Sequence, residues 1–296
     1  RASGHHRARG ADRAVRRPLR RSRNRARHVR RFAQRLSDVL EPAGEKALAI
    51  GYHPSATARS LELIPEAPLP VHEPLSGRAR HLRPLHDARQ RLDAGVHRLH
   101  QHGRLPAQLR LAFALVPMLS LMCDNAPVFE GKPREHQLVR TDIWQHVDND
   151  RCGLVPDVLD PSFDLRRYAE YILDTVAILI PCQQQRWCYS DRTFGDIYAA
   201  RTMTRAEVEH AVSMFFTDVR LKTYIEIRPA DAMPIPYVIA YAALIKGLFY
   251  APTSLDAMDR LFADVRRDDY LAAQGALMER GYERGVRTAR RRAVRP

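Results

Sequence analysis

The strongest hydrophobic signal is Leu109–Cys123 (LRLAFALVPMLSLMC), which is apolar nearly all round and therefore reads as a buried helix, with Pro117 expected to kink it. Val238–Phe249 reads as a second apolar helix, and the surrounding stretch Tyr237–Tyr250 is interrupted by Lys246 and too short to span a bilayer. Helical spacing also marks Phe32–Glu41, Arg166–Leu179 and Arg205–Phe216, the last opened by Thr204 with Glu207 in its first turn. Ala47–Tyr52 reads as a short strand ending at His53-Pro54, Leu61–Pro65 as a brief extended piece, and Asp124–Arg134 as a Pro/Gly-rich loop. In Leu221–Arg228 (LKTYIEIR) polar and apolar residues alternate, which puts Tyr224, Glu226 and Arg228 on one face of a strand. Residues 252–296 read as a helical tail that turns Arg-rich.

Two blocks keep no period at all. Residues 1–31 carry 13 Arg against Asp12 alone, and residues 71–104 carry seven Arg against three acids and six of the chain's 13 His. Neither contains an aromatic residue. From Leu105 onward, 25 basic residues meet 25 acidic ones, so the formal charge of +14 belongs to the two blocks. Basic arms for nucleic acid are one reading. Translation out of frame is the other, and it is preferred, because shifted high-GC codons yield Arg, Ala, Gly, His and Pro. Codon overlap allows a paper test. The next frame of Gly4–Leu19 permits VTIEPGGQIELSGAP, and that of His86–Gln101 permits MMRA(S/N)ASTQVSIDYT. Neither block has a face to bury against the cost of ordering, about 1–2 kcal/mol per residue, so both are expected as coil or poorly packed helix.

The four cysteines (Cys123, Cys152, Cys182 and Cys188) form no CxxC pair and no zinc spacing with His, and read as reduced thiols of a cytoplasmic protein. No secretory signal and no membrane partner are expected. Oligomeric state is not legible.

Three strings together resemble the glutamate–cysteine ligase family, especially its plant-type and related bacterial members. They are Phe113–Arg134 (FALVPMLSLMCDNAPVFEGKPR), Arg140–Asp174 (RTDIWQHVDNDRCGLVPDVLDPSFDLRRYAEYILD) and Phe215–Asp231 (FFTDVRLKTYIEIRPAD). Leu40–Pro65 is similar less specifically. The two shifted readings add what look like the family's EPGGQ-E and QVSIDY strands in their proper order. The resemblance implies an α+β fold, with a curved, largely antiparallel sheet, helices on its outer face and substrates in the funnel. It also implies a reaction: ATP phosphorylates the glutamate γ-carboxylate, and the cysteine amine displaces the phosphate, for glutathione or a related thiol. The cofactors implied are ATP, as substrate, and magnesium.

By resemblance Glu226 is a magnesium ligand and Arg228 the catalytic contact to the transferred phosphate. Their separation of about 7 Å along a strand suits both roles. Without the family the pair reads as a cross-strand ion pair. Arg140, Trp144 and Arg151 are the substrate-binding candidates. Arg140 would grip an amino-acid carboxylate and Trp144 would wall the pocket, with ordinary structure the equal alternative. Arg151 could share that work or pair with Asp148 or Asp150. Asn125, Glu130 and Lys132 read as a structural turn.

Thr217 stands where the family usually has Pro, and Pro229 after Arg228 is unusual. An incomplete N-terminus and two replaced strands would remove about half of the site, so the chain, a remnant catalytic domain over residues 32–251, is expected to be inactive as written. The rivals are a nucleic-acid-binding basic protein and a ligase for another amine. In the gene, the alternative frame is expected to encode the EPGGQ-type and QVSIDY-type strands, with single-base changes near Arg31, Pro70 and Leu105. Stop codons or unrelated text there would make the basic blocks genuine.

Overall fold

The computed structural model describes residues 26–60, 95–98, 104–181 and 187–283. The first helix, α1, runs over residues 26–40, beginning inside the basic block, and passes into a 3-10 turn at Glu41–Ala43. Its apolar side chains stay in water: Phe32 is 53% and Val39 71% exposed. The expected strand at Ala47–Tyr52 does not form. Among the described residues that segment has no ladder partner and is instead pinned to a loop, with Gly51 N–H donating to the Asn125 carbonyl at 2.7 Å and the Asn125 amide to that of Ala49. Leu61–Pro65 lies outside the described residues.

Helix α2 (Leu105–Met122) is the centre of the molecule, and buries residues on every side, as its composition requires. It is long and apolar enough to cross a membrane, yet most of it is enclosed by the rest of the chain. After it the Pro/Gly-rich loop contains a tight hairpin, β2 (Val128–Phe129) and β3 (Lys132–Pro133), whose corner residues Glu130 and Gly131 both have positive φ. Helix α3 (Val139–Gln145) and strand β4 (Cys152–Gly153) follow.

Helix α4 (Leu165–Asp174) is capped by the Asp164 side chain and ends earlier than the periodicity predicts. Thr175 turns extended, and the residues behind it enter an antiparallel pairing of β5 (Leu179–Pro181) with β6 (Trp187–Tyr189). Helix α5 (Phe194–Tyr198) and helix α6 (Arg205–Ser213) each open on a capping box, Thr193/Asp196 and Thr204/Glu207. Helix α6 stops at Ser213 because Phe216–Thr217 forms strand β7, parallel to β4.

Strands β8 (Val219–Leu221) and β9 (Tyr224–Ile227) make an antiparallel hairpin. On the other edge of β9 lies β1 (Gly95–Arg98), completing a three-stranded sheet in the order β1-β9-β8. The expectation that residues 71–104 hold only coil or poor helix is therefore corrected at Gly95–Arg98. An open strand edge presents a row of N–H and C=O groups that backbone of any sequence can satisfy. Three α-helices follow: α7 (Ile235–Tyr250), α8 (Pro252–Leu261) and α9 (Arg267–Arg280).

One main core joins most of these elements, with a smaller cluster of Tyr52, Ala126, Val139 and Ile143 beneath α3. Phe113, Phe194, Phe215, Ile225, Ile227 and Phe249 are all but fully buried, and Leu255, Met258 and Tyr270 bring α8 and α9 into the main core. The architecture is mixed α+β. Among the described residues the thiol expectation fails at Cys188, which is disulfide-bonded, whereas Cys123 and Cys152 are buried and outside any disulfide. A disulfide depends on which backbone segments the fold sets side by side, and spacing alone does not report that.

Replacing a buried aromatic on α2 should cost far more than replacing an exposed one on α1. Phe113→Ala is expected to lower unfolding free energy by about 3–5 kcal/mol, and Phe32→Ala by no more than about 0.5 kcal/mol. Urea denaturation of the two variants measures this, and comparable losses would contradict the assignment of α2 as the core helix.

Candidate active site

The β8–β9 register sets Arg220 directly opposite Glu226. Alternation sends Ile225 and Ile227 into the core and turns Glu226 to the other face, where it is still only 7% exposed. Its carboxylate is taken up by Arg220, with Nε 2.7 Å from Oε2 and a terminal nitrogen 2.6 Å away. Lys222 Nζ lies 3.8 Å from Oε1. Arg220 also donates to the Ser213 and Phe215 carbonyls, which fixes its fork. Glu226 thus sits in a buried, hydrogen-bonded ion pair. Among the described residues no three His, Cys, Asp or Glu side chains converge on a metal position. Magnesium does not fit at Glu226 in this arrangement, because the charge that would hold it already neutralises Arg220.

Arg228 leaves the end of β9, its backbone N–H donating to the Asp218 carbonyl at 2.9 Å. Its guanidinium reaches the Thr217 carbonyl at 3.3 Å and lies 5.9 Å from the centroid of Trp144 and 6.0 Å from that of Phe216. Those two rings stack on each other at 5.5 Å and 19°. The parallel pairing of β4 with β7 places Phe216 there, and Trp144 comes from α3. Arg140 stands one turn before Trp144 on the same helix face and donates to the Arg228 carbonyl at 3.2 Å. Three predicted site residues, Arg140, Trp144 and Arg228, therefore converge.

Two like charges so close need compensation. Burial first, then the repulsion of Arg220 and Arg140, pulls the Arg228 guanidinium down to about 10, with Glu226 and Asp218 opposing the fall. It remains charged at neutral pH. Asp218, partly buried, is pushed up by burial and held down by a hydrogen bond from Tyr270 and by Arg140 and Arg228. Asp231 is buried within electrostatic reach of Arg140. Burial raises its carboxyl to about 6, against the Asn125 N–H, 2.8 Å from Oδ2, and the charge of Arg140. A Cβ on Gly51 would stand 2.2 Å from that same Oδ2, so the backbone there must be glycine for the carboxylate to fit.

Arg151 is engaged elsewhere. It pairs with Asp148 at 2.6 Å and donates to the Val176 carbonyl, so its guanidinium holds β4 to the end of α4. Asn125 clasps the Ala49 and Ala232 carbonyls, and Glu130 accepts from Ala58 N–H at 3.0 Å. A surface cleft of about 580 Å³, lined by Asp150, Asp157, Tyr171 and Asp174 among others, includes none of the convergent residues. Sequence reasoning missed Asp218, Asp231 and Tyr270. The two aspartates lie inside the Phe215–Asp231 string that carried the resemblance, and only their lack of a motif hid them.

The fold and this arginine-rich wall define a mixed α+β protein with a polar site at the end of its antiparallel hairpin. The profile of Glutamate–cysteine ligase family 2 (GCS2) matches residues 16–288. The chain belongs to that family. Relatives include "Glutamate--cysteine ligase B, chloroplastic" of Oryza sativa subsp. japonica, 30% identical over 164 residues, covering 53% of this chain and 33% of that protein. "Glutamate--cysteine ligase, chloroplastic" of Arabidopsis thaliana is 32% identical over 164 residues, covering 53% and 31%. The Nicotiana tabacum protein of the same name is 29% identical over 164 residues, with the same two shares. The chain matches about a third of the length of these curated relatives.

The raised carboxyl of Asp231 has a consequence for stability. Between the unfolded value of 3.8 and the folded value of about 6 the native state binds the extra proton, so the group's contribution weakens as pH rises through this window. Asp231→Asn does not titrate. Its stability relative to wild type is expected to improve by on the order of 2–3 kcal/mol between pH 4 and pH 7. Parallel denaturation curves at the two pH values check this, and a difference independent of pH would refute it.

Proposed function

We propose that this chain carries the arginine half of a glutamate–cysteine ligase site. In that reaction ATP phosphorylates the glutamate γ-carboxylate, and the cysteine amine attacks the resulting γ-glutamyl phosphate. The single observation that carries the reading is the pairing of Arg140 and Arg228 beside the Trp144/Phe216 stack. Arg140 reaches the Arg228 backbone beside the ring stack, which gathers two positive charges at one place, and acyl phosphate chemistry develops negative charge that such a wall stabilises. Arg228 contacts the transferred phosphate, and Arg140 the substrate carboxylate. The rings exclude water from the same spot, which strengthens both interactions. Family membership supports glutamate, cysteine and ATP as the substrates.

The finer fold belongs to the same proposal: the β1-β9-β8 sheet is the surviving part of a larger curved antiparallel sheet. Strand β1 falls on the positions where the alternative frame reads VSID, within the QVSIDY strand. That coincidence supports the out-of-frame origin of residues 71–104. The native strand would then contribute polar side chains beside Glu226, changing the balance with Arg220 and completing a magnesium site that the residues described here do not form.

Two proteins test the proposal, the chain as written and a full-length enzyme with both blocks returned to the alternative frame. The first is expected to show no ATP turnover with glutamate and amines. The second should turn over ATP with cysteine in preference to alanine or 2-aminobutyrate. Arg228→Ala should lower that turnover by at least about 100-fold without unfolding the enzyme. Equal rates with all three amines would make it a ligase for another amine, and an unaffected Arg228→Ala enzyme would remove the arginine wall from the mechanism.

A further inference from the structure

The arginine wall depends on a helix far from it in sequence. Tyr270, on α9, is 2% exposed, and its hydroxyl donates to Asp218 Oδ2 at 2.8 Å. One turn further on, Gln274 is 4% exposed and hydrogen-bonds Tyr270. Gln274 Oε1 in turn accepts from Gln145 Nε2 at 2.7 Å. Gln145 is the last residue of α3 and the neighbour of Trp144. The polar chain Asp218–Tyr270–Gln274–Gln145 therefore ties α9 both to the strand corner before β8 and to the helix that carries Arg140 and Trp144.

Asp218 grips Arg228 in two ways. Its carbonyl accepts the Arg228 N–H at 2.9 Å, and its carboxylate acts on the charges of Arg228 and Arg140 together. Even a partly buried carboxylate is costly to desolvate, and an apolar residue of similar size would serve packing better. What an apolar residue could not do is hold two mutually repelling guanidiniums at one separation.

We propose that Asp218, anchored by Tyr270, is the positioning residue of the Arg140/Arg228 pair, so that the C-terminal helix α9 completes the anion site. The proposal rests on the reading of this wall as an anion site, and it makes a prediction opposite in sign to simple electrostatics. Asp218→Asn removes a negative charge from the pocket, which by charge alone should tighten anion binding. If Asp218 positions the arginines, binding weakens.

The experiment uses the full chain in a Trp187→Phe background, which leaves Trp144 as the sole indole. Inorganic phosphate is titrated while Trp144 emission is followed, with circular dichroism recording that each variant is folded. Asp218→Asn is expected to weaken phosphate binding about tenfold and Tyr270→Phe about threefold, with the double variant no worse than Asp218→Asn because the two act through one interaction. Unchanged or tighter binding in folded Asp218→Asn would overturn the proposal. If the unsubstituted pocket shows no saturable phosphate response, the anion-site reading fails. The positioning role is then judged on ligand-free spectra: both substitutions should shift Trp144 emission by moving Arg228 against the ring, and identical spectra would overturn it.

Discussion

A guanidinium taken out of water must be compensated, and the placement of Arg228 organises the elements around it. The β8–β9 register brings its N–H to the Asp218 carbonyl, and the β4–β7 pairing slides Phe216 beneath its guanidinium. Helix α3 supplies Trp144 to the same stack and Arg140 to the Arg228 carbonyl. Each contact is modest alone. Together they hold a second positive charge beside the first, with Asp218 acting on both and Asp231 on Arg140 to offset part of the repulsion.

The same economy of charge explains Glu226. On an isolated hairpin, the cross-strand neighbour of a carboxylate decides what it binds, and here that neighbour is Arg220. The opposite neighbour is β1, which pairs with β9 through backbone groups whatever its side chains are. A sheet can thus keep its hydrogen bonds when the chemistry carried by one strand has changed. This separates retention of the fold from retention of the site.

Elements whose signal is local were legible in the sequence. Helix α2 announces itself by apolar composition, and α6 by Thr204 and Glu207, which form the capping box that their spacing indicates. The convergence of Arg140, Trp144 and Arg228 was legible through the family strings, and the i, i+4 spacing of the first two adds a physical reason. Features that depend on distant partners were hidden. Ala47–Tyr52 has strand composition but finds a loop instead of a ladder, and the α4 pattern runs on past Thr175 into residues that a strand pairing claims. Tyr270 looks like any aromatic of an amphipathic helix until packing sets its hydroxyl against Asp218. Arg151 had two legible fates, and the fold gives it Asp148 as a partner.

In the proposed site the buried charge of Arg228 is retained for an anion and is not merely structural. The thermal midpoint of the full chain against pyrophosphate concentration, for wild type and Arg228→Met, tests it most directly, since a ligand that binds only the native state raises the midpoint as its concentration grows. The wild-type midpoint should climb with pyrophosphate, while that of Arg228→Met should start no lower, freed of the desolvated charge, and stay flat. Parallel rises in the two proteins, or a flat wild type beside a strongly destabilised Arg228→Met, would show that Arg228 holds the fold together and binds nothing.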